Sequence, residues 1–554
     1  MSGRKFFKAN ADKILKSVDR RSFLLKAGLL TTGIALNACI KKIKRSSSYS
    51  HIKGQLKGPD MRAGHILRDK IPVPPPSGKR AVGTLIIGGG ISGLSAARWL
   101  KRNGYENFEL IELELNQGGN SRFGGNQISS FPLGAHYITI PNNHDKELLQ
   151  FLEEGGIITG YNDGLPVYDE FSLCFDPEER LLINGQWQEG LVPDFGLSEK
   201  DKQEIKSFFK LTEQLKKDIG DDGKYAFDIP LDNSSTDPVY RKLDNISFKD
   251  YLSQEGFTSP YLLWYLEYCC KDDYGQKLNR ISAWAGLHYF AARKGKADNA
   301  ENNTVLTWPE GNGKLMQLLS APVKTHILTS KMACNIALKN DKVEILLLDL
   351  KSNKSEIVTA DNVLLATPQF VNAKILDQIK RPAFNQHGFN YAPWLIANIS
   401  VQYLSQGKGA ALSWDNVAFN TPSVGYVNAN QQSTKLGENK KVITYYLPLC
   451  DHNCRVSRLA AYARTYEQWL DIIMPELEFM HPGIEEAIEN IDLWVWGHGM
   501  ISPTPGFIWG NDRKNASRSI ENKIFFAHSD LSGISIFEEA FHQGIKAANE
   551  ILDK

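Results

Sequence analysis

Six residues near the start of the globular part, Gly88-Gly89-Gly90-Ile91-Ser92-Gly93, carry the clearest chemical signal in the 554-residue chain. Glycines at 88 and 90 permit a tight turn and let the backbone approach a pyrophosphate, and Gly93 lets a following helix pack closely on the preceding strand. Ile91 and Ser92 would open that helix, whose free N–H groups and partial positive charge suit an anion. An acid, Glu112, follows about 20 residues on, where it can accept hydrogen bonds from ribose hydroxyls. The chemistry this implies is the binding of a dinucleotide.

For those residues to converge, 84–87 must form a strand, 94–100 a helix and 108–112 a second strand, and the apolar spacing fits each. That is a βαβ unit. Further strands are expected at 180–185, 342–348, 362–368, 395–403 and 441–446, and helices at 200–219, 261–270 and 458–474. Residues 523–552 read as strand, turn and helix.

The residues just beyond Glu112 decide between kinds of dinucleotide. Gln117-Gly118-Gly119-Asn120-Ser121-Arg122 resembles the second glycine pair, followed by an arginine, of the flavin amine-oxidase superfamily. Asn120 stands where that family usually has Arg, so Arg122 is expected to take over the charged contact with the diphosphate. Gly134-Ala135-His136-Tyr137 resembles the family's loop beside the flavin ring, and Ala366-Thr367-Pro368 its strand end at the cofactor. The segment 524–530, ending at Asp530, and the helix opening at Phe537 are similar to the family's closing motif. There the acid binds the ribityl or pyrophosphate region and the helix end points at the flavin pyrimidine.

The resemblance implies FAD, with hydride passing from a small organic substrate, an amine by family precedent, to flavin N5 and on to oxygen or a quinone-like acceptor. Many amine oxidases place a lysine near N5, and the corresponding stretch, 391–399, has none. This departure keeps open a desaturase or isomerase acting on an apolar molecule. A flavin-fold protein that binds a partner without turnover is the rival of another class. No catalytic acid or base stands out in the sequence. His136 and His498 are candidates for proton transfer near neutral pH, and Trp509 belongs to an aromatic run that could wall a substrate or simply pack a core. Covalent attachment of FAD is left open, since His136 and His528 are both available.

The expected fold is α/β, a Rossmann-type FAD-binding domain built from discontinuous segments plus an α+β substrate domain. The FAD-binding domain would take residues 81–140, 305–370 and 501–554, and the substrate domain 141–304 and 371–500, with ligand between them. A net charge of +1 gives no electrostatic reason for nucleic acid as a partner. Seven cysteines are too few and too irregular for a disulfide framework, and Cys450 and Cys454 lack the second pair of ligands a zinc site requires, so no metal is expected.

The first 39 residues read as a processing signal. Arg20-Arg21-Ser22-Phe23-Leu24 before a short apolar stretch resembles the twin-arginine export signal, which serves proteins folded before they cross the membrane. Leu36-Asn37-Ala38-Cys39 looks like a lipoprotein cleavage box, with Cys39 as the acylated membrane anchor; the alternative is a periplasmic protein clipped near Ala38. Residues 40–80, rich in Lys, Ser, Gly and Pro, read as a tether.

Overall fold

The computed structural model describes residues 48–433 and 439–554. The paired arginines, Cys39 and residues 40–47 of the expected tether lie outside the described residues. Among the described residues, no helix is long and apolar enough to cross a membrane.

Two large sheets organise the structure. In the first, Pro76–Ile87 lies between Phe108–Glu112 and Lys354–Leu365, all parallel, and Ile327–Thr329 extends the Phe108–Glu112 side. The long strand Lys354–Leu365 has two neighbours on its far side. Its first half pairs antiparallel with Lys342–Asp349, and residues 363–365 pair parallel with Ile524–Phe526. Both faces are covered, as an apolar run such as Leu85-Ile86-Ile87 requires. Ile86 packs under the helices Ile91–Arg102 and Phe537–Leu552, whereas Leu85 and Ile87 face a second core with Ile111, Val363 and Phe526. The α/β class expected from the sequence is therefore observed, with a Rossmann-type sheet assembled from distant segments.

The second sheet runs in the order Gly54–Lys57, Ile488–Ile501, Tyr391–Val401, Lys441–Pro448, Tyr426–Asn428, Asp415–Ala418, Glu179–Ile183, Gln186–Glu189. Its central strand, Tyr391–Val401, is buried at every position, and the period-two alternation divides its side chains between two environments. Leu395, Ala397 and Ile399 pack against the helix Tyr466–Met480. Trp394 and Ile396 point the other way, toward an aromatic cluster with Tyr268, Trp414 and Tyr446. Facing that cluster are helices from the middle of the chain, among them Pro260–Tyr274 and Ala283–Ala291. The second begins at Ser282, whose hydroxyl accepts from Ala285 N.

Two expectations change. Residues 48–80 are structured: Gly54–Lys57 adds in parallel to residues 491–494 of the second sheet. Met61–Arg68 is a helix capped by the Asp60 side chain, and Pro76 already begins a strand. An edge strand held by backbone bonds leaves no apolar alternation in a sequence such as GQLK, so composition alone reads it as linker. The helix expected over 458–474 is two helices, Cys454–Ala463 and Tyr466–Met480. Thr465 starts the second with a capping box shared with Gln468.

Candidate functional site

An open cavity of about 1060 Å3 lies at the C-terminal edge of the first sheet, between the glycine loop and the last helix. Gly88 adopts φ +110°, and a Cβ there would lie 2.5 Å from Ala366 O; a Cβ on Gly93 would lie 1.9 Å from Gly88 O. Both positions admit glycine alone. A Cβ on Gly90 would meet no atom within 4 Å, because that side of the residue opens onto the cavity, whose lining includes it. Gly118 and Gly119, at φ +123° and +54°, present the second glycine pair to the same space, together with Ile91, Ser92, Asn120, Ala135, Thr367 and Pro368.

Across the cavity the helix Phe537–Leu552 begins at Ile536 with no side chain capping its free N–H groups. Those groups and the helix dipole give this end of the cavity a partial positive charge. Gly544 lets the helix lie against the glycine-loop helix: a Cβ there would sit 2.3 Å from Ser92 O, and Ser95 Oγ donates to Phe541 O at 2.8 Å. Glu112 also lines the cavity. Its carboxylate accepts from Gly89 N at 2.7 Å and Glu114 N at 2.9 Å, and burial raises its pKa against those two donors. Each oxygen keeps a second lone pair, so the acid can still accept from a ligand hydroxyl.

Three expected site residues are placed differently. Arg122 is outside the cavity lining: its guanidinium pairs with Glu114 at 3.2 Å and lies 5.1 and 5.2 Å from the ring centroids of Trp494 and Trp496. It braces the second sheet. Asp530 is fully buried, and its Oδ2 accepts from Gln369 N at 2.9 Å and from Tyr391 OH at 2.5 Å, so its first task is to hold the wall residue Tyr391. Its neighbours His528 and Ser529 line the cavity in its stead. Trp509 sits edge-on to Trp284, 5.5 Å away, in the helical core. Spacing fixes where these backbones run; the turn of a long side chain is decided by partners far off in sequence.

The cradle continues into two chambers, of about 830 and 1380 Å3. The inner one shares Asn120, Ala135, Asn312, Gly499 and Phe537 with the cradle, and shares His136, Tyr137, Asp272, Arg293 and Tyr446 with the outer one. Trp394 and Ile396, from the strand expected to pass beside the cofactor, wall the inner chamber, and no lysine is among its lining residues. The imidazole of His136 lies 4.5 Å from the Tyr446 ring and 5.6 Å from Trp414. Burial lowers its pKa to about 3, so it is a neutral wall at physiological pH. His498, stacked 4.2 Å from Phe370, lines the cradle and is likewise lowered to about 3 by burial. Neither imidazole titrates near neutrality.

The groups that do titrate there are carboxyls the sequence did not single out. Asp272 accepts from Tyr137 OH at 2.8 Å, and burial, with Asp273 beside it, raises its pKa to about 7. Burial does the same for Glu538 in the inner chamber and for Glu179 in the outer, each pushed up to about 7. Asp415, bonded to Tyr268 OH at 3.0 Å, is raised further by burial, Glu179 and Asp272. Against these stand Arg293, held by both oxygens of Asp273 at 2.7 and 2.9 Å, and Lys216 in the outer chamber. Asp273 already neutralises Arg293, so the remaining carboxyls, lying among aromatic rings, can give up their protons to balance an organic cation that enters. Asp272 and Asp273 end one helix, Pro260–Tyr274, where acids are unfavourable to the helix dipole. That misplacement was the available signal.

Residues 86–154 match the model of an NAD(P)-binding Rossmann-like domain. A search of the curated proteins returns no sequence match. Among solved structures the chain is similar to putrescine oxidase, wild type bound to putrescine, at 17% identity and a TM-score of 0.60 over 86% of this chain and 100% of that one. It is similar to cyclohexylamine oxidase from Brevibacterium oxydans at 15% identity and a TM-score of 0.56, covering 85% of this chain and 100% of that one. It is also similar to a CLA-producing fatty acid isomerase from P. acnes at 16% identity and a TM-score of 0.58, covering 84% and 98%. At these identities the likeness is one of fold.

Proposed function

We propose that this protein is an FAD-dependent oxidoreductase that oxidises a small amine. The observation that carries the reading is the passage from a glycine cradle into chambers rich in carboxyls and aromatic rings. The cradle fits FAD: Gly88, Gly90, Gly118 and Gly119 clear a path for a diphosphate, Glu112 is placed for a ribose, and the open N-terminus of Phe537–Leu552 suits the electron-rich edge of a flavin. When bound, FAD supplies a hydride acceptor at N5 and a two-electron carrier that oxygen or a quinone-like acceptor can reoxidise.

The chain's own residues bind and orient the substrate. Trp394, Ile396 and Tyr446 exclude water from the inner chamber, and neutral His136 adds no repulsion toward a cation. Asp272, steadied by Tyr137, is anionic above its pKa of about 7, and in that form it balances a substrate ammonium or takes its proton, becoming the neutral acid as the amine becomes neutral. The amine oxidases of the same fold support this reading. Anaerobic mixing of the purified flavoprotein with primary amines and diamines is expected to bleach the flavin, and in air to release hydrogen peroxide. A panel that leaves the flavin oxidised throughout overturns the amine reading.

A second reading, an isomerase or desaturase of an apolar substrate, draws on the lysine-free inner chamber and on the fatty acid isomerase of the same fold. Turnover of an unsaturated fatty acid without amine oxidation would favour it. The proposal extends to address and organisation: export of the folded protein through Arg20 and Arg21, then periplasmic residence or anchoring at Cys39, with the substrate domain contributed by residues 141–304 and 371–500. Labelling of Cys39 by a radioactive fatty acid, abolished in Cys39→Ala, tests the anchor.

A further inference from the structure

One side chain stands at the doorway between cradle and inner chamber with a polar atom unspent. Asn312 lines both spaces and is 1% exposed. It follows Gly311, whose φ of +58° turns the chain, and its backbone N–H donates to Ala135 O at 3.1 Å. Its side-chain Nδ2 donates to Tyr137 O at 3.1 Å. Because that partner is a carbonyl, only the amide nitrogen can face it, and this fixes the orientation of the whole amide. The other end, Oδ1, is buried with no hydrogen-bond partner.

An unbonded acceptor is unusual at this position. Asn312 is the N-cap of the helix Gly313–Ser320, where an asparagine ordinarily gives its side-chain oxygen to the helix's own N–H groups, yet here no such bond is made. A buried acceptor left without a donor costs about 1–3 kcal/mol, so a ligand N–H delivered to it would be favoured. Asn120, which lines the same doorway, also donates through Nδ2, to Gly499 O, but it is only half-buried, so its Oδ1 is not a buried acceptor without a partner. An ionised fatty acid carries no donor to offer. An amine does.

Resting on the amine reading above, we infer that Asn312 is a substrate-binding residue whose Oδ1 accepts an N–H from the amine nitrogen where the inner chamber opens onto the cradle. It thereby selects substrates bearing N–H next to the reacting carbon.

The test uses the flavin-loaded protein, with benzylamine and putrescine as probes and anaerobic flavin bleaching as the readout. In Asn312→Leu the flavin content after gel filtration should match wild type, while the amine concentration for half-maximal bleaching rises about tenfold, the equivalent of one lost hydrogen bond. In Asn312→Asp an oxygen can again accept at the doorway although the donor to Tyr137 O is lost, so amine affinity should recover above that of the leucine variant. Equal failure of both variants would make the side chain a clamp for the Tyr137 loop and overturn the inference. Flavin loss in the leucine variant would assign the donor to the cofactor and overturn it as well; should that variant not fold, Asn312→Ala replaces it. Bleaching of wild type with unchanged variants sinks this inference alone, whereas a wild type that neither amine bleaches sinks the amine reading and the inference together.

Discussion

The cradle and the chambers share a wall at Ala135, Asn312 and Phe537, yet they are built on opposite principles. The cradle is shaped by missing atoms. Its glycines keep the backbone close, its one lining acid is held by backbone N–H groups, and the charged residue expected to enter it, Arg122, is turned away. The chambers are shaped by side chains whose charge states burial has displaced. A site made of backbone fails when a carbon is added, and a site made of carboxyls fails when a charge is removed.

The largest expected effect comes from adding the carbon. Gly93→Val would push its side chain into Gly88 O, a backbone atom that cannot step aside, and the protein should lose its flavin entirely along with several kcal/mol of stability. The flavin-to-protein ratio after gel filtration checks this, and a fully loaded variant would break the comparison on the cradle side. Removing the charge comes next. Asp272→Asn should keep its flavin but raise the half-saturating amine concentration about 10- to 100-fold, the range for a lost charge-assisted bond.

The same residue sets a pH dependence. With a pKa of about 7, Asp272 gains its charge as the pH rises through neutrality, so wild-type amine affinity should rise over that interval and the Asn variant should lose this step. Glu179, Asp415, Asp273, Glu538 and Arg293 face the same chambers, and Glu179 and Glu538, raised to about 7, will broaden the transition.

A smaller effect separates stability from binding. Glu539 is fully buried, with Oε1 accepting from Leu231 N and Oε2 unpartnered, and burial raises its pKa to about 7. The folded state then keeps a proton that the unfolded chain releases above the ordinary glutamate range, so stability is lost as pH rises from about 4.5 through 7. Glu539→Gln should flatten that slope and gain about 1–2 kcal/mol at pH 8, with little change at pH 4, in thermal melts across the range. Smallest of all, Arg122→Leu should cost about 1 kcal/mol by releasing Trp494, Trp496 and Glu114 while flavin content holds. Flavin loss in that variant would return Arg122 to the cofactor.

The two halves were not equally legible in the sequence. A glycine that must be glycine for steric reasons declares itself through its neighbours, which is why the loop from Gly88 to Gly93, Gly118 and Gly119 line up with the cavity. Arg122 and Asp530 turn to partners, Trp494 and Tyr391, that lie more than a hundred residues away in the chain. Of the chamber acids only Asp272 and Asp273 left a trace, as acids at a helix C-terminus, because Glu179, Asp272 and Asp415 converge only once the second sheet and the helix Pro260–Tyr274 are folded. Asn312 was hidden differently, since an asparagine between glycines at a helix start already has an ordinary explanation as a cap.

The contact of Phe537–Leu552 with the glycine-loop helix also dictates an order of events at synthesis. The loop is made early, but the strand Ile524–Phe526 and the helix behind it come from far downstream, as does Ile488–Ile501, which receives Gly54–Lys57 on the sheet edge. Such long-range pairing cannot form on a nascent chain until residues beyond 524 have left the ribosome. The cofactor compartment thus closes only once the helix Phe537–Leu552 has emerged, and closure would serve as a checkpoint: a chain truncated before Ile524 would carry the glycine signature and still have nowhere to keep a dinucleotide.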